Sequence, residues 1–221
     1  AALAFIQPAY AQTYPAKPIR IVVPFAPGGT SDILARLIGA KMTENWGQQV
    51  IVDNRPGASG NIGADLVAKS PPDGYTTVLM DVGNLSISPS IFPKLPFDIL
   101  RDFAPVTAIS YSPHLLCVHP SVPAKTVKEL IALAKASPGK LNYGSTGLGA
   151  PPHLVGELFK MTTGIDIVHV PYKGDAPMYA ALVAGEVDVG FGPLGNALPH
   201  IKSGKLRALG MTAPRRSPAI P

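Results

Sequence analysis

Cysteine is nearly absent from this chain of 221 residues. Cys117 stands alone, so no internal disulfide can form and stability has to come from a buried core. Charge is scarce as well: 15% of residues are charged against 46% hydrophobic, a balance that excludes a disordered chain. No segment offers the ~18 uninterrupted apolar residues that a membrane-spanning helix needs. The net charge of +5 invites a nucleic-acid reading, but the lysines and arginines are scattered and form only small clusters such as Arg215-Arg216. No nucleic-acid partner is therefore expected. There is no Walker lysine pattern and no serine in a Gly-x-Ser-x-Gly arrangement. The histidines at 114, 119, 153, 169 and 200 lack metal-ligand spacing, and no Cys–His or paired-carboxylate constellation occurs. Neither a metal nor a cofactor is expected. Residues 190–195 match the glycine pattern of a dinucleotide loop. Pro199, however, would fall inside the helix that pattern requires, and no acidic residue follows Asp188 to hold a ribose.

Proline is abundant, but its 25 copies do not form a low-complexity tract, and they read as punctuation between ordered elements. The N-terminus is apolar over Ala1–Ile6, and Ala9-Tyr10-Ala11 places small residues where signal peptidase reads, with Gln12 as the expected mature start. Residues 1–11 are thus expected to be a signal-peptide remnant, and the rest to act as an exported, soluble protein.

Hydrophobic periodicity predicts strands alternating with helices. Strands are expected over 19–25, 49–53, 76–80, 114–119, 141–143, 167–170, 187–191 and 206–212. Helices are expected over 31–46, 61–69, 125–136, 151–162, 175–185 and 195–203. In the first helix, Ile33, Leu34, Leu37, Ile38, Met42 and Trp46 are expected to form the inward face. Residues 83–105 read as irregular, with one short helix. This alternation implies an α/β fold with mostly parallel sheets covered on both faces. Prolines at 113, 120 and 123 bracket one strand and suggest a lobe boundary nearby.

One device occurs four times: a strand, a glycine-rich turn and a helix N-terminus. The turns are Pro27-Gly28-Gly29-Thr30, Gly57-Ala58-Ser59-Gly60-Asn61, Gly144-Ser145-Thr146-Gly147 and Lys173-Gly174-Asp175. Glycine admits close approach of a ligand to the backbone, and unpaired N–H groups with the helix dipole favour negative charge. In open α/β sheets such turns lie at the carboxyl ends of strands, where ligands bind. The four together point to an anion site. His153, opening a helix beside the third turn, reads first as a capping or structural residue and second as a ligand contact.

Several segments resemble the Bug receptors, the extracytoplasmic solute-binding proteins of tripartite tricarboxylate transporters. They are residues 18–32, 53–63 (Asp-Asn-Arg-Pro-Gly-Ala-Ser-Gly-Asn-Ile-Gly), 72–76, 143–145 with His153-Leu154 and Glu157-Leu158-Phe159, 170–174, 185–188 and 205–209. The resemblance implies a two-lobed clamshell of type II periplasmic-binding-protein topology. It also implies a periplasmic monomer that captures a mono-, di- or tricarboxylate or acidic amino acid and delivers it to membrane permease subunits, without catalysis. Carried onto this sequence, the first-lobe contacts are Phe25, Ala26, Gly29, Thr30, Asp32 and Asn61. The second-lobe contacts are Ser145, Thr146, Gly147, Tyr172 and Asp188. Asp32 and Asp188 cannot pair directly with an anion and are cast as loop organisers or as acceptors from a ligand hydroxyl, amine or water. The implied division is lobe 1 over 12–116, lobe 2 over 117–206, and a crossover over 207–221 that begins a return to lobe 1, which is expected to be incomplete. Asp175 departs from the small neutral residue usual in the family; a carboxylate there would repel a second acid group or select an amino group. The alternatives are a ligand-sensing receptor signalling to a membrane sensor and an α/β enzyme using Ser145 or His153.

Overall fold

Strand β1 (Ile19–Val23) is the centre of a three-stranded sheet in the order β2-β1-β3, with β2 at Val50–Asn54 and β3 at Thr76–Val78. Both pairings are parallel. The computed structural model describes residues 13–220, so the expected signal-peptide remnant lies outside the described residues. Helix α1 (Thr30–Trp46) follows β1 and packs on one face, where Ile21, Val23, Phe25 and Ala35 are buried together. A 310 turn (Ala58–Gly60) leads into α2 (Asn61–Ala68), which packs against β1 and β3.

The expected inward face of α1 is rotated. Ile33, Leu37 and Trp46 are 46%, 62% and 45% exposed, while Ala35 and Gly39 are buried. The reason is close approach: a Cβ on Gly39 would lie 3.1 Å from Val50 Cγ1, so small residues let the helix settle on β2 through the 35–39–42 line. Leu34 and Ile38 flank that line and, like Met42 within it, remain partly buried.

A π-helical turn (Gly83–Ile87) and the short α3 (Ser88–Ile91) open the irregular stretch that leads to the second sheet. That sheet has the order β6-β5-β7-β4-β8. Its strands are β4 (His114–Val118), β5 (Asn142–Ser145), β6 (Val168–Pro171), β7 (Val189–Pro193) and β8 (Arg207–Met211). β5 is parallel to β6 and β7, whereas β4 runs antiparallel to β7 and β8. Among the described residues four of the six strand pairings are parallel, as the alternating pattern implies. The boundary expected after residue 116 falls inside β4. Residues 207–211, expected in a crossover toward lobe 1, pair with β4 in the second sheet.

Helices cover both faces of the second sheet. Leu116, Val118, Tyr143, Val189 and Phe191 are buried on one side against α4 (Val127–Ala136) and α5 (Pro151–Thr163). Leu115, Cys117, Met178, Tyr179 and Leu182 are buried on the other against α6 (Asp175–Ala184) and α7 (Leu194–Lys202). Burial pushes the Cys117 thiol up to about 12, so it acts as a small core hydrophobe. Among the described residues, no helix is long and apolar enough to cross a membrane.

Candidate functional site

The four glycine turns meet in facing pairs where the two sheets' carboxyl ends approach each other. The turn after β1 meets the turn after β6: the Ala26 N–H donates to Lys173 O at 3.0 Å, and the Thr30 N–H donates to Asp175 Oδ2 at 3.1 Å. Asn196 on α7 adds two links, accepting from Thr30 Oγ1 at 2.8 Å and donating to Gly28 O at 3.1 Å. The turn after β2 meets the turn after β5: Ser59 Oγ donates to Leu148 O at 2.6 Å. Gly174 is required at its place, because its φ of +132° is left-handed and a Cβ there would stand 3.2 Å from Ala26 N.

Between these pairs lies a cavity of about 70 Å³ lined by Pro24, Phe25, the 57–60 turn, Thr146, Tyr172 and Lys173. A larger depression of about 380 Å³, lined by Pro120, Val122, Lys125, Glu129 and Arg207, lies beside β4 and α4, away from the glycine turns. The smaller cavity is the candidate site because three of the four turns line it and the first turn is hydrogen-bonded to the last of them, whatever the relative volumes.

The expected contact residues separate by what they do. Phe25, Thr146 and Tyr172 line the cavity. The N–H groups of Ala26 and Thr30 are turned to protein acceptors, and Gly29 lies between them at the start of α1. Asp32 accepts from Gly28 N–H at 2.9 Å and Asn54 Nδ2 at 3.0 Å, and pairs with Arg36, so its carboxylate is spent on the turn. Burial raises its carboxyl pKa, but the hydrogen bonds from Arg36, Gly28 and Asn54 outweigh burial and hold it below the usual range. Asn61 is buried; its Oδ1 accepts from Asn84 Nδ2 at 3.3 Å, while its Nδ2 has no partner among the described residues.

Ser145 and Asp188 are not brought to the cavity. Ser145 is fully buried, with Oγ 2.6 Å from His169 Nε2 and accepting from Gly147 N–H at 3.1 Å, so its hydroxyl shapes the turn from beneath. Gly147, at φ +139°, packs against Ser59 across the crevice. Asp188 precedes β7 at the opposite end of the sheet, where its carboxylate accepts from Asn142 N–H at 2.9 Å and its own N–H donates to Asn142 Oδ1. This ties the starts of β5 and β7 together and keeps Asp188 remote from the carboxyl-end turns.

His153 and His169 stack with ring centres 4.2 Å apart, and His153 Nδ1 accepts from Gly149 N–H. Burial, with His153 alongside, lowers the His169 pKa to about 4, so the imidazole is neutral and serves the turn. The Ser–His contact lies below the turn without an open face for a substrate. Residues that sequence reasoning missed are Asp81, Asn84, Ser59 and Asn196. Asn84 Nδ2 donates to Ser59 O at 2.9 Å, and Asp81 Oδ1 accepts from Asn84 N–H at 3.1 Å. Asp81 follows β3, so the strand-end rule that flagged the four turns would have reached it too. Among the described residues, no group of three His, Cys, Asp or Glu side chains could hold a metal.

Residues 34–221 match the family described as the tripartite tricarboxylate transporter family receptor. The chain belongs to this family. BugT of Bordetella pertussis is 40% identical over 218 residues, which are 97% of this chain and 67% of BugT. The solved structure of R. palustris Rpa4515 with adipate is 42% identical with a TM-score of 0.90, covering 92% of this chain and 68% of that one. MatC from Rhodopseudomonas palustris with bound malate is 33% identical with a TM-score of 0.88, covering 93% and 70%. This chain therefore spans about two thirds of the length of these relatives. The family model and the neighbours identify it as a Bug-type receptor with a periplasmic-binding-protein fold, a class of solute-binding receptors rather than enzymes.

Proposed function

We propose that this receptor works in the periplasm as a monomer, closes its two lobes on a small carboxylate and presents it to the membrane permease subunits of a tripartite tricarboxylate-type transporter. The lobes correspond to the two sheets, with the division in the extended stretch before β4. The observation that carries the reading is one cavity at the carboxyl ends of both sheets, lined by residues of three of the four turns. Thr146 and Tyr172 supply hydroxyl donors there, Phe25 and Pro24 supply apolar surface, and Lys173 supplies positive charge at the rim. Ala26, Gly29, Thr30, Asn61 and Gly147 complete the enclosure, while Asp32 and Ser145 hold turn geometry. Adipate and malate in two relatives support a carboxylate as the ligand class.

The test is a thermal-shift screen of mono-, di- and tricarboxylates, adipate and malate included. A ligand that binds only the folded state at ~100 times its Kd stabilises by about 2.7 kcal/mol, a shift of several degrees. Thr146→Val should weaken the responding ligand about tenfold, the loss of one hydrogen bond to a charged group. A flat response to every carboxylate at millimolar concentration would count against the reading.

A further inference from the structure

The turn that carries Thr146 to the cavity is fastened by a histidine. His153, in the first turn of α5, accepts at Nδ1 from the Gly149 N–H, 3.1 Å away. A backbone N–H can only donate, so Nδ1 has to present its lone pair and the ring proton sits on Nε2. An imidazolium carries a proton on both nitrogens, which would set two donors against each other at Nδ1. Protonation of His153 and its bond to Gly149 therefore exclude each other.

The ligand side of the second sheet hangs on that bond. Leu148, next to Gly149, gives its carbonyl to Ser59 Oγ across the crevice at 2.6 Å, and Thr146 lines the cavity. The other end of the turn is held by Ser145 Oγ, which accepts from the Gly147 N–H and contacts His169 Nε2. His169 stacks on His153, so the two imidazoles brace both ends of the turn.

Several titratable and charged groups face this pair. From β5, the Tyr143 ring stacks on His169 and its hydroxyl donates to Glu157. On α5, Glu157 lies one turn beyond His153 and is paired with Lys160. Before α5, Asp81 approaches its first residues: a Cβ on Gly83 would lie 2.8 Å from Asp81 Oδ1 and 2.9 Å from Pro151 Cδ. Burial lowers the His153 pKa from 6.5, with Lys160 adding to the effect and Glu157 opposing it. Burial raises the Glu157 carboxyl, but hydrogen bonds from Tyr143 and Lys160 outweigh it and hold it below the usual range. Burial also pushes the Tyr143 phenol above its ordinary 10 and His169 down to about 4. Between pH 5 and pH 8 the charge changes here thus fall to His153 and to Asp81, whose carboxyl burial pushes up to about 6.

We infer that His153 is a positioning residue for ligand capture: its unprotonated Nδ1 keeps the 146–149 turn closed on the cavity, and proton uptake at His153 opens that turn and releases the ligand. This rests on the receptor reading above. The closed form excludes a proton that the open form accepts, so lowering the pH through the ordinary imidazole value of 6.5 favours the open form and weakens binding. Glu157, four residues on along the same helix, offers the imidazolium a partner once it leaves Gly149.

Calorimetry from pH 8 to pH 5 with adipate and malate, or with the carboxylate that the thermal-shift screen selects, tests this on wild type, His153→Asn and His153→Leu. Asn places an acceptor oxygen where Nδ1 stood but takes up no proton, whereas Leu offers no acceptor. Ionisation of the ligand is common to all three proteins, so their ratios isolate the imidazole. Wild type should lose about fivefold in affinity relative to His153→Asn on acidification, the weight of one neutral hydrogen bond. His153→Leu should bind about fivefold more weakly than His153→Asn at every pH, and Asp81→Asn should keep the wild-type slope. In the ligand-free protein, the NMR signal of the Gly149 amide should move with the titration of His153. A wild-type profile parallel to that of His153→Asn, a slope abolished by Asp81→Asn alone, or a Gly149 amide that ignores the titration would overturn the inference while leaving the receptor reading standing. A screen in which no carboxylate binds would remove both.

Discussion

Asp81 is where burial and ionisation conflict most openly. Burial pushes its carboxyl from 3.8 up to about 6, the charge of Asp175 adds to the rise, and N–H groups of Asn84 and Gly83 only partly offset it. The folded-state pKa is raised, so the stabilising contribution is fully present below the unfolded value of about 4 and is lost as pH rises through 6. A shift of this size corresponds to about 3 kcal/mol at most. Asp81→Asn should therefore raise unfolding free energy by up to about 3 kcal/mol at pH 8 and change it little at pH 4, measured by denaturant titration at both pH values. Its Oδ1 still accepts from Asn84, so the variant isolates the charge. Asp32 shows the opposite balance, with partners enough to keep it ionised. Two acids of one chain thus contrast: Asp32 organises a turn with a cationic partner, whereas Asp81 has no ion-pair partner among the described residues. Sequence reading left Asp32 between turn organiser and ligand acceptor; its hydrogen bonds are those of a residue that holds a turn. It counted Asp188 among the cleft contacts although a strand was expected from residue 187, which already sets Asp188 at the start of β7 and away from the carboxyl-end turns.

At the scale of elements, α5 and β5 are fitted through Gly156. A Cβ at that position would lie 2.4 Å from Tyr143 Cε2, and the Tyr143 ring is fully buried with its hydroxyl donating to Glu157 at 2.7 Å. Gly156→Ala gains about 1 kcal/mol of helix propensity but overpacks a ring that cannot yield, at a cost of about 1–3 kcal/mol. Net destabilisation of about 1–2 kcal/mol is expected in thermal or chemical unfolding. Tyr143 stacks on His169, which holds Ser145, so the same variant should also weaken ligand binding measured by calorimetry. The strand and helix order was legible from periodicity almost throughout. The inward face of α1 was not, because Ala35 and Gly39 carry little hydrophobic signal and act through close approach to Val50. Periodicity counts large apolar residues, while helix-on-sheet contact here is set by small ones.

For the whole molecule, the property that matters is the hold of one lobe on the other. Asn196 makes two hydrogen bonds that join the first turn to α7 on the other sheet's side, to Thr30 and to Gly28. Each contributes about 1 kcal/mol, and both are realised only when the lobes meet. Asn196→Ala should shift the population toward open forms, lowering apparent ligand affinity about five- to thirtyfold with little change in secondary structure. Calorimetry would read the affinity, and an increased radius of gyration in small-angle scattering of the ligand-free variant would read the opening.

The sequence by itself determined the α/β alternation, the four glycine turns at strand ends and the receptor family, because these depend on local chemistry: periodicity, glycine placement and motif order. Tertiary structure alone decided which turns face each other, that Asp175 occupies the N-terminus of α1, and that Ser145 and Asp188 serve the scaffold. Those outcomes join residues as distant as Thr30 and Asp175, and no local pattern encodes the meeting of two lobes. The glycine turns remain the frame of the site. What the fold added is that one end of that frame is already filled by the protein's own carboxylate.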